Sequence, residues 1–307
     1  MWNRVACLRG WVGLMLAALV VGGCAAKQDP FGQQVSRIND ASIQGEQWFS
    51  KGDLKRASRE FSRALTMSRS VDYPQGEAQQ LNNLGAVALE DGDVKQAREL
   101  FTQALQVNCE QQQWAAVSIN QANLATIAQK AGNPGEAAQH LQAAQNAAWQ
   151  TRSPRALGRV YLQWASFYLD QNDLALAEDF LNRTQPLATT PELKGTLEHH
   201  RGRLALARGD PGLALEKFAQ ALKFDRTTLD RPAMAGDLFF LGEVYQTRGD
   251  LCQAWDYYVR AFDVFAGLGR KSQMLKCFKR LQEVNQKGQL GHSLERFEKL
   301  IDTKLRS

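Results

Sequence analysis

The sequence predicts an all-α protein, a superhelical solenoid of antiparallel helix pairs. Three observations predict it. Composition favours helix: of 307 residues 44% are hydrophobic and only 8 are proline, with Ala, Leu, Gln and Arg abundant. No β-branched run alternates with a period of two between turn residues, as a strand would. Small and aromatic residues return at an interval near 40 residues, the mark of a stacked repeat.

The repeat is clearest at Ala57, Ala97, Ala137, Ala177, Ala214 and Ala254, spaced 40, 40, 40, 37 and 40 apart. Twelve residues before each stands a small residue, Gly45, Gly85, Ala125, Ala165, Gly202 or Gly242. This is where the first helix of each unit must let a neighbour come close. Five residues before each alanine is Gly52, Gly92, Gly132, Asn172, Gly209 or Gly249, followed at once by Asp or Asn. A Gly or Asn can take the left-handed conformation that ends a helix. The next carboxylate or amide can cap the following one. Four residues after each alanine comes a large apolar residue, Phe61, Phe101, Leu141, Leu181, Phe218 or Tyr258, and three further on Ala64, Ala104, Ala144, Thr184, Ala221 or Ala261. Leu81, Leu84 and Ala88 keep the three-and-four spacing of a helix face.

This pattern of small residue, Gly, Ala, aromatic and Ala resembles the tetratricopeptide repeat in six units over residues 38–266. The family unit is shorter, and the longer unit here resembles the subclass found in peptide-binding scaffolds and bacterial regulators. The extra residues are expected to lengthen the second helix and the loop between units, as at Val71 to Gly76. Repeat four departs most, with Asn172 for Gly and Thr184 for Ala. Beyond Ala266 the match decays. Arg270 to Asn285 and His292 to Lys304 read as two amphipathic helices, a degenerate seventh unit (residues 267–307) that caps the stack.

The amino-terminal segment reads differently. Arg4 and Arg9 precede an apolar stretch from Trp11 to Val21, too short to span a bilayer. The stretch ends at Val21-Gly22-Gly23-Cys24, which resembles the bacterial lipobox, although Gly22 stands where Ala or Ser is commoner. The resemblance implies a signal peptide over residues 1–23, acylation of Cys24 with palmitate-type chains, and a lipidated tether over 24–37. Ala25 and Ala26, neither of them Asp, imply sorting to the outer membrane, facing the periplasm. Several acyl chains on one residue suffice for stable anchoring.

The net charge of +5 falls to +3 without Arg4 and Arg9, too small an excess for a nucleic-acid binder. The basic residues gather at the end. Arg270, Lys271, Lys276, Lys279, Arg280 and Lys287 stand against Glu283 alone, a surface suited to an anionic partner, or a solvated cap. Cys109, Cys252 and Cys277 follow no metal-ligand spacing; three small buried side chains, or a Cys252–Cys277 disulfide, are the readings they allow. His199 and His200 are neighbours on a helix and point about 100° apart, so they do not jointly ligate a metal. No catalytic motif, phosphate loop or cofactor fingerprint is present, and no enzyme activity, metal or cofactor is expected.

Function is therefore expected from shape. The resemblance implies that first-helix residues line a concave face holding a peptide or helix. By register these include Asn83, Asn123, Arg159, Gln163, Arg203, Phe239 and Glu243, beside Asn39, Ser42, Asn82, Thr126 and His199. Asn83, Asn123 and Gln163 recur one repeat apart. They are read either as a ladder of amides pairing with a peptide backbone or as ties between adjacent helices. The paired lysines that clamp a terminal carboxylate in other members are not reproduced. The leading expectation is a periplasmic interaction scaffold for a protein of an envelope complex. The alternative is a pilotin, an assembly factor for a secretion or pilus complex.

Overall fold

In the computed structural model, residues 29–306 are described, and each Gly-Asp or Gly-Asn pair, with Asn172-Asp173 in repeat four, ends one helix and starts the next. These turns join α1 (Pro30–Ser50) to α2 (Leu54–Ser70), α3 (Pro74–Asp91) to α4 (Val94–Glu110), and α5 (Trp114–Lys130) to α6 (Pro134–Gln150). They likewise join α7 (Pro154–Asp170) to α8 (Leu174–Thr184), α9 (Pro191–Ala207) to α10 (Pro211–Thr228), and α11 (Arg231–Thr247) to α12 (Leu251–Gly267). Two further helices, α13 (Lys271–Gly288) and α14 (Glu295–Arg306), close the stack. The five turn glycines have φ between 74° and 93°, and Asn172 takes the same region at 59°. Asp53, Asp93, Asn133, Asp173, Asp210 and Asp250 each accept the backbone N–H three residues on. Such a cap contributes about 1 kcal/mol.

Within each pair the two helices meet at one lock. The repeat alanines from Ala57 to Ala254 are fully buried. A Cβ placed on Gly45, Gly85, Gly202 or Gly242 would come within 2.5 to 2.8 Å of the ring of Phe61, Phe101, Phe218 or Tyr258 respectively. Repeats three and four carry alanine instead, Ala125 and Ala165, and there the facing residue is the smaller Leu141 or Leu181. Volume is conserved at the lock: glycine faces a ring, alanine faces leucine.

The added length went into helix more than into loop. α2, α4, α6 and α12 each run 17 residues. Pro74 to Gly76, expected in an inter-repeat loop, are instead the first turn of α3, where proline lacks only a donor the helix start leaves unused. The tether reading of residues 24–37 is corrected in the same way, since residues 30–37 are already helical. Asp29 accepts the N–H groups of Phe31 and Gly32, and Phe31 packs edge-on against Tyr73 at 6.1 Å. Residues 1–28, including the expected signal and Cys24, lie outside the described residues. In repeat four α8 stops after 11 residues and a 3-10 turn, Gln185–Leu187, carries the chain on, consistent with the spacing of 37.

Among the described residues no helix is long and apolar enough to cross a membrane. Phe297 of α14 is buried edge-on against Phe262 at 4.9 Å, sealing the last core. The cysteine readings are corrected: Cys109, Cys252 and Cys277 are all free, and only Cys277 is buried. Cys252 sits in the first turn of α12 on its exposed side.

The solenoid also curls until its last unit touches its first. A Cβ on Gly52 would fall 2.3 Å from the Leu268 carbonyl oxygen and 2.6 Å from the Gly269 Cα. Beside this backbone contact Arg270 pairs with Glu90 of α3 and lies 4.9 Å over the Phe49 ring of α1.

Candidate functional site: a concave groove across repeats three to five

The first helices of repeats three, four and five, α5, α7 and α9, line a cavity of about 820 Å³. Its floor is apolar where Ala122, Ala156 and Leu193 approach, and Ile119 stands 45% exposed at its side. Asn123, Gln163, Ser166 and Thr196 offer amides and hydroxyls. Arg155 and Arg159, one helical turn apart on α7, put two guanidinium groups on the same wall. Burial and the neighbouring Arg155 pull Arg159 below the usual guanidinium range. Glu192 is held below the usual carboxylate range, first by the Thr190 side chain and further by the field of both arginines.

Of the residues singled out by register, this cavity brings together Asn123, Arg159 and Gln163. Asn83 is half-buried outside its lining, donating to Gln80 of its own helix at 3.5 Å. Asn123 donates to Asn82 Oδ1 at 3.0 Å, and Asn120 donates to the same oxygen. These amides tie α3 to α5, so a free ladder through Asn83 and Asn123 is not what the structure holds. Only Gln163 keeps its amide in the cavity without such a tie. Asn39 is exposed on α1, Ser42 is buried and Thr126 donates to the Ala122 carbonyl.

The remaining register residues serve packing. Arg203 donates to Ser166 and Asp170 of α7 and lies 5.8 Å over the Phe240 ring. Glu243 accepts from Tyr258 and pairs with Arg280, and Phe239 packs 5.5 Å from the Tyr258 ring. Sequence reasoning missed Arg155 and Ile119. Arg155 was findable, because it precedes Arg159 by four residues and shares its helix face.

Behind the groove lies a buried polar cluster. His200 faces the cavity, whereas His199 turns away and joins Asp237 at 2.7 Å. Asp225 and Asp237 are both buried. Burial, then the Asp237 charge, pushes Asp225 up to about 7, and burial pushes Asp237 up to about 8. Burial lowers His199 to about 4 and His200 well below its usual value. Gly195 makes room: a Cβ there would lie 2.3 Å from Asp225 Oδ1.

No protein-family model and no curated protein matches this chain. Solved structures do. The apo form of RapI superposes with a TM-score of 0.62 at 12% identity, over 79% of this chain and 86% of that one. The Rap conjugation gene regulator of plasmid pLS20, solved with the Phr* peptide, gives 0.60 at 12% identity, over 91% and 83%. A Rap protein complexed with competence and sporulation factor gives 0.57 at 14% identity, over 83% and 78%. The fold is that of tetratricopeptide-like helical-repeat proteins. At these identities the likeness concerns the fold.

Proposed function

We propose that this chain is a non-catalytic interaction protein, anchored to the outer membrane through lipid on Cys24 and facing the periplasm, that holds a partner's extended peptide or helix in its concave groove. The observation that carries the binding reading is the cavity across α5, α7 and α9, with its apolar floor, its Gln163 amide and its Arg155–Arg159 pair. Two fold neighbours were solved with a peptide or factor bound, which supports a ligand of that kind. The arginines select for an acidic side chain or a terminal carboxylate. A peptide library selected against the full-length chain should yield acid-bearing sequences. Arg159→Glu should weaken the selected peptides roughly 10–100-fold, as loss of a charge-assisted bond worth about 1.5–3 kcal/mol implies, with an unchanged melting temperature. Peptides that bind the variant as tightly as the parent would sink the groove reading.

The anchor is tested separately. Cys24→Ser removes the only acylation point that the lipobox resemblance implies. The variant is expected in the soluble periplasmic fraction or as an unprocessed precursor, with altered gel mobility. Persistence in the outer-membrane fraction at normal mobility would contradict it.

A further inference from the structure

The contact between the first and seventh units builds a second cleft. It has a volume of about 1100 Å³ and is lined from both ends of the chain. Repeat one contributes Lys51, Lys55, Arg56 and Arg59, α13 contributes Lys271 and α14 contributes Lys304. Against these six cations the lining holds two carboxylates, Asp53 and Asp91. Asp53 caps α2 and is the ion-pair partner of Arg56, so those two charges offset each other, and Lys55 and Lys304 have interactions of their own, which leaves Lys51, Arg59 and Lys271 as the cations on which a ligand can draw. The walls are basic but the floor is apolar, with Leu54, Leu84, Val87 and Leu100 beneath.

The closing contact is specific in its chemistry. Gly269 occupies the repeat position held elsewhere by Asp72, Gln112, Arg152 and Leu229, all at φ between 52° and 55°. That backbone conformation is therefore tolerated by ordinary side chains in this fold. Gly269 is distinguished instead by its neighbour, since a Cβ there would meet the Gly52 Cα at 2.7 Å. A glycine is placed where the two ends must touch, and Arg270 reaches Glu90 beside it. The sequence pattern of basic residues near the C-terminus is thereby redistributed. Arg270 and Arg280 are spent on internal ion pairs, and Lys271 joins repeat one.

We infer that this end-to-end cleft is a second binding site, distinct from the groove, that takes an acidic segment of a partner protein carrying apolar side chains between its carboxylates. The cationic surplus led by Lys51, Arg59 and Lys271 concentrates an anionic ligand by long-range attraction, and Leu54, Leu84 and Leu100 reward apolar side chains. The two aspartates in the lining disfavour a compact polyphosphate, whereas Asp91 can accept a hydrogen bond from a peptide backbone. A membrane headgroup would leave the apolar lining of Leu54, Leu84, Val87 and Leu100 unmatched.

The test uses the full-length chain in phosphatidylcholine nanodiscs and a fluorescein-labelled octapeptide of alternating Glu and Leu, followed by anisotropy. Saturable binding is expected, weakening at least tenfold as salt rises from low to about 0.5 M. Arg59→Glu and Lys271→Glu, from opposite ends of the chain, should each weaken binding about tenfold. Gly269→Gln, which copies Gln112 and touches no charge, should weaken it similarly by parting the ends, with helical circular dichroism retained. Absence of peptide binding, or binding indifferent to Lys271→Glu, overturns the site; the latter needs no disruption of the seam and so stands even if Gly269→Gln does not fold. Tighter binding of tripolyphosphate, or of phosphatidylglycerol nanodiscs, at the same residues would overturn the acidic-segment assignment.

Discussion

Gly85→Ala is expected to destabilise the protein by up to about 2 kcal/mol net, and adding Phe101→Leu is expected to restore most of that loss. A Cβ at Gly85 would lie 2.7 Å from Phe101 Cε1, and the ring is 1% exposed, so it has no free space to yield into. Overpacking of this kind costs about 1–3 kcal/mol, against a helix-propensity gain of up to about 1 kcal/mol for replacing glycine. Phe101→Leu alone should also destabilise, by leaving a void beside Gly85. Together the two changes convert the lock of repeat two into the alanine–leucine lock that repeat three already uses at Ala125 and Leu141. A double-mutant cycle by urea denaturation should therefore return a favourable coupling above 1 kcal/mol. Strict additivity would show that the two positions do not form one packing unit.

The same lock explains what was legible in the sequence. Each repeat solves one packing problem with the same few positions, so Ala57 through Ala254 and the Gly-Asp turns stand out by period alone. The exchange of glycine–ring for alanine–leucine was also readable, because both members change together in repeats three and four. The start of α1 was less readable. Pro30 and Gly32 resemble a linker in isolation, and only the Asp29 cap and the contact of Phe31 with Tyr73 show that they begin a helix.

The candidate sites were legible only in part. Of the residues chosen by helical register, Asn123, Arg159 and Gln163 line one cavity. Register does not specify what a neighbouring repeat already supplies, and so Arg203, Phe239 and Glu243 proved to be bonded or packed within the wall. The end-to-end cleft was hidden for a stronger reason. Its contact joins Gly52 to Gly269, and curvature summed over all the repeats decides whether those ends meet. No local pattern encodes that sum. The one local trace is a glycine at position 269 where the other loops manage without one.

The cluster of buried Asp225 and Asp237 with half-buried His199 and His200 should make stability fall as pH rises above neutrality, and Asp237→Asn should remove most of that fall. Both carboxyls titrate above their unfolded value, at about 7 and about 8 in the folded chain. A raised pKa means that the protonated form is favoured by folding, so its stabilisation is complete below about pH 4 and is lost as pH climbs through the folded values. The histidines act oppositely. Their depressed pKa values, His199 at about 4, make stability rise with pH up to the unfolded histidine range near 6.5. Arg203 adds to the depression of both, and Asp230 raises both carboxyls. Two rising and two falling contributions largely offset one another between about pH 4 and 6.5. Above that window only the carboxyls remain, each losing about 1.4 kcal/mol per pH unit while it retains its proton. A fall of about 2 kcal/mol between pH 6.5 and 8.5 is expected in urea denaturation. In Asp237→Asn the amide, which can donate or accept, still meets His199 Nδ1, and Asp225 no longer faces a second carboxyl. The variant should lose less than half as much stability over the same range and match the parent more closely at pH 5. Equal slopes for parent and variant between pH 6.5 and 8.5 would show that the two aspartates do not hold a proton between them.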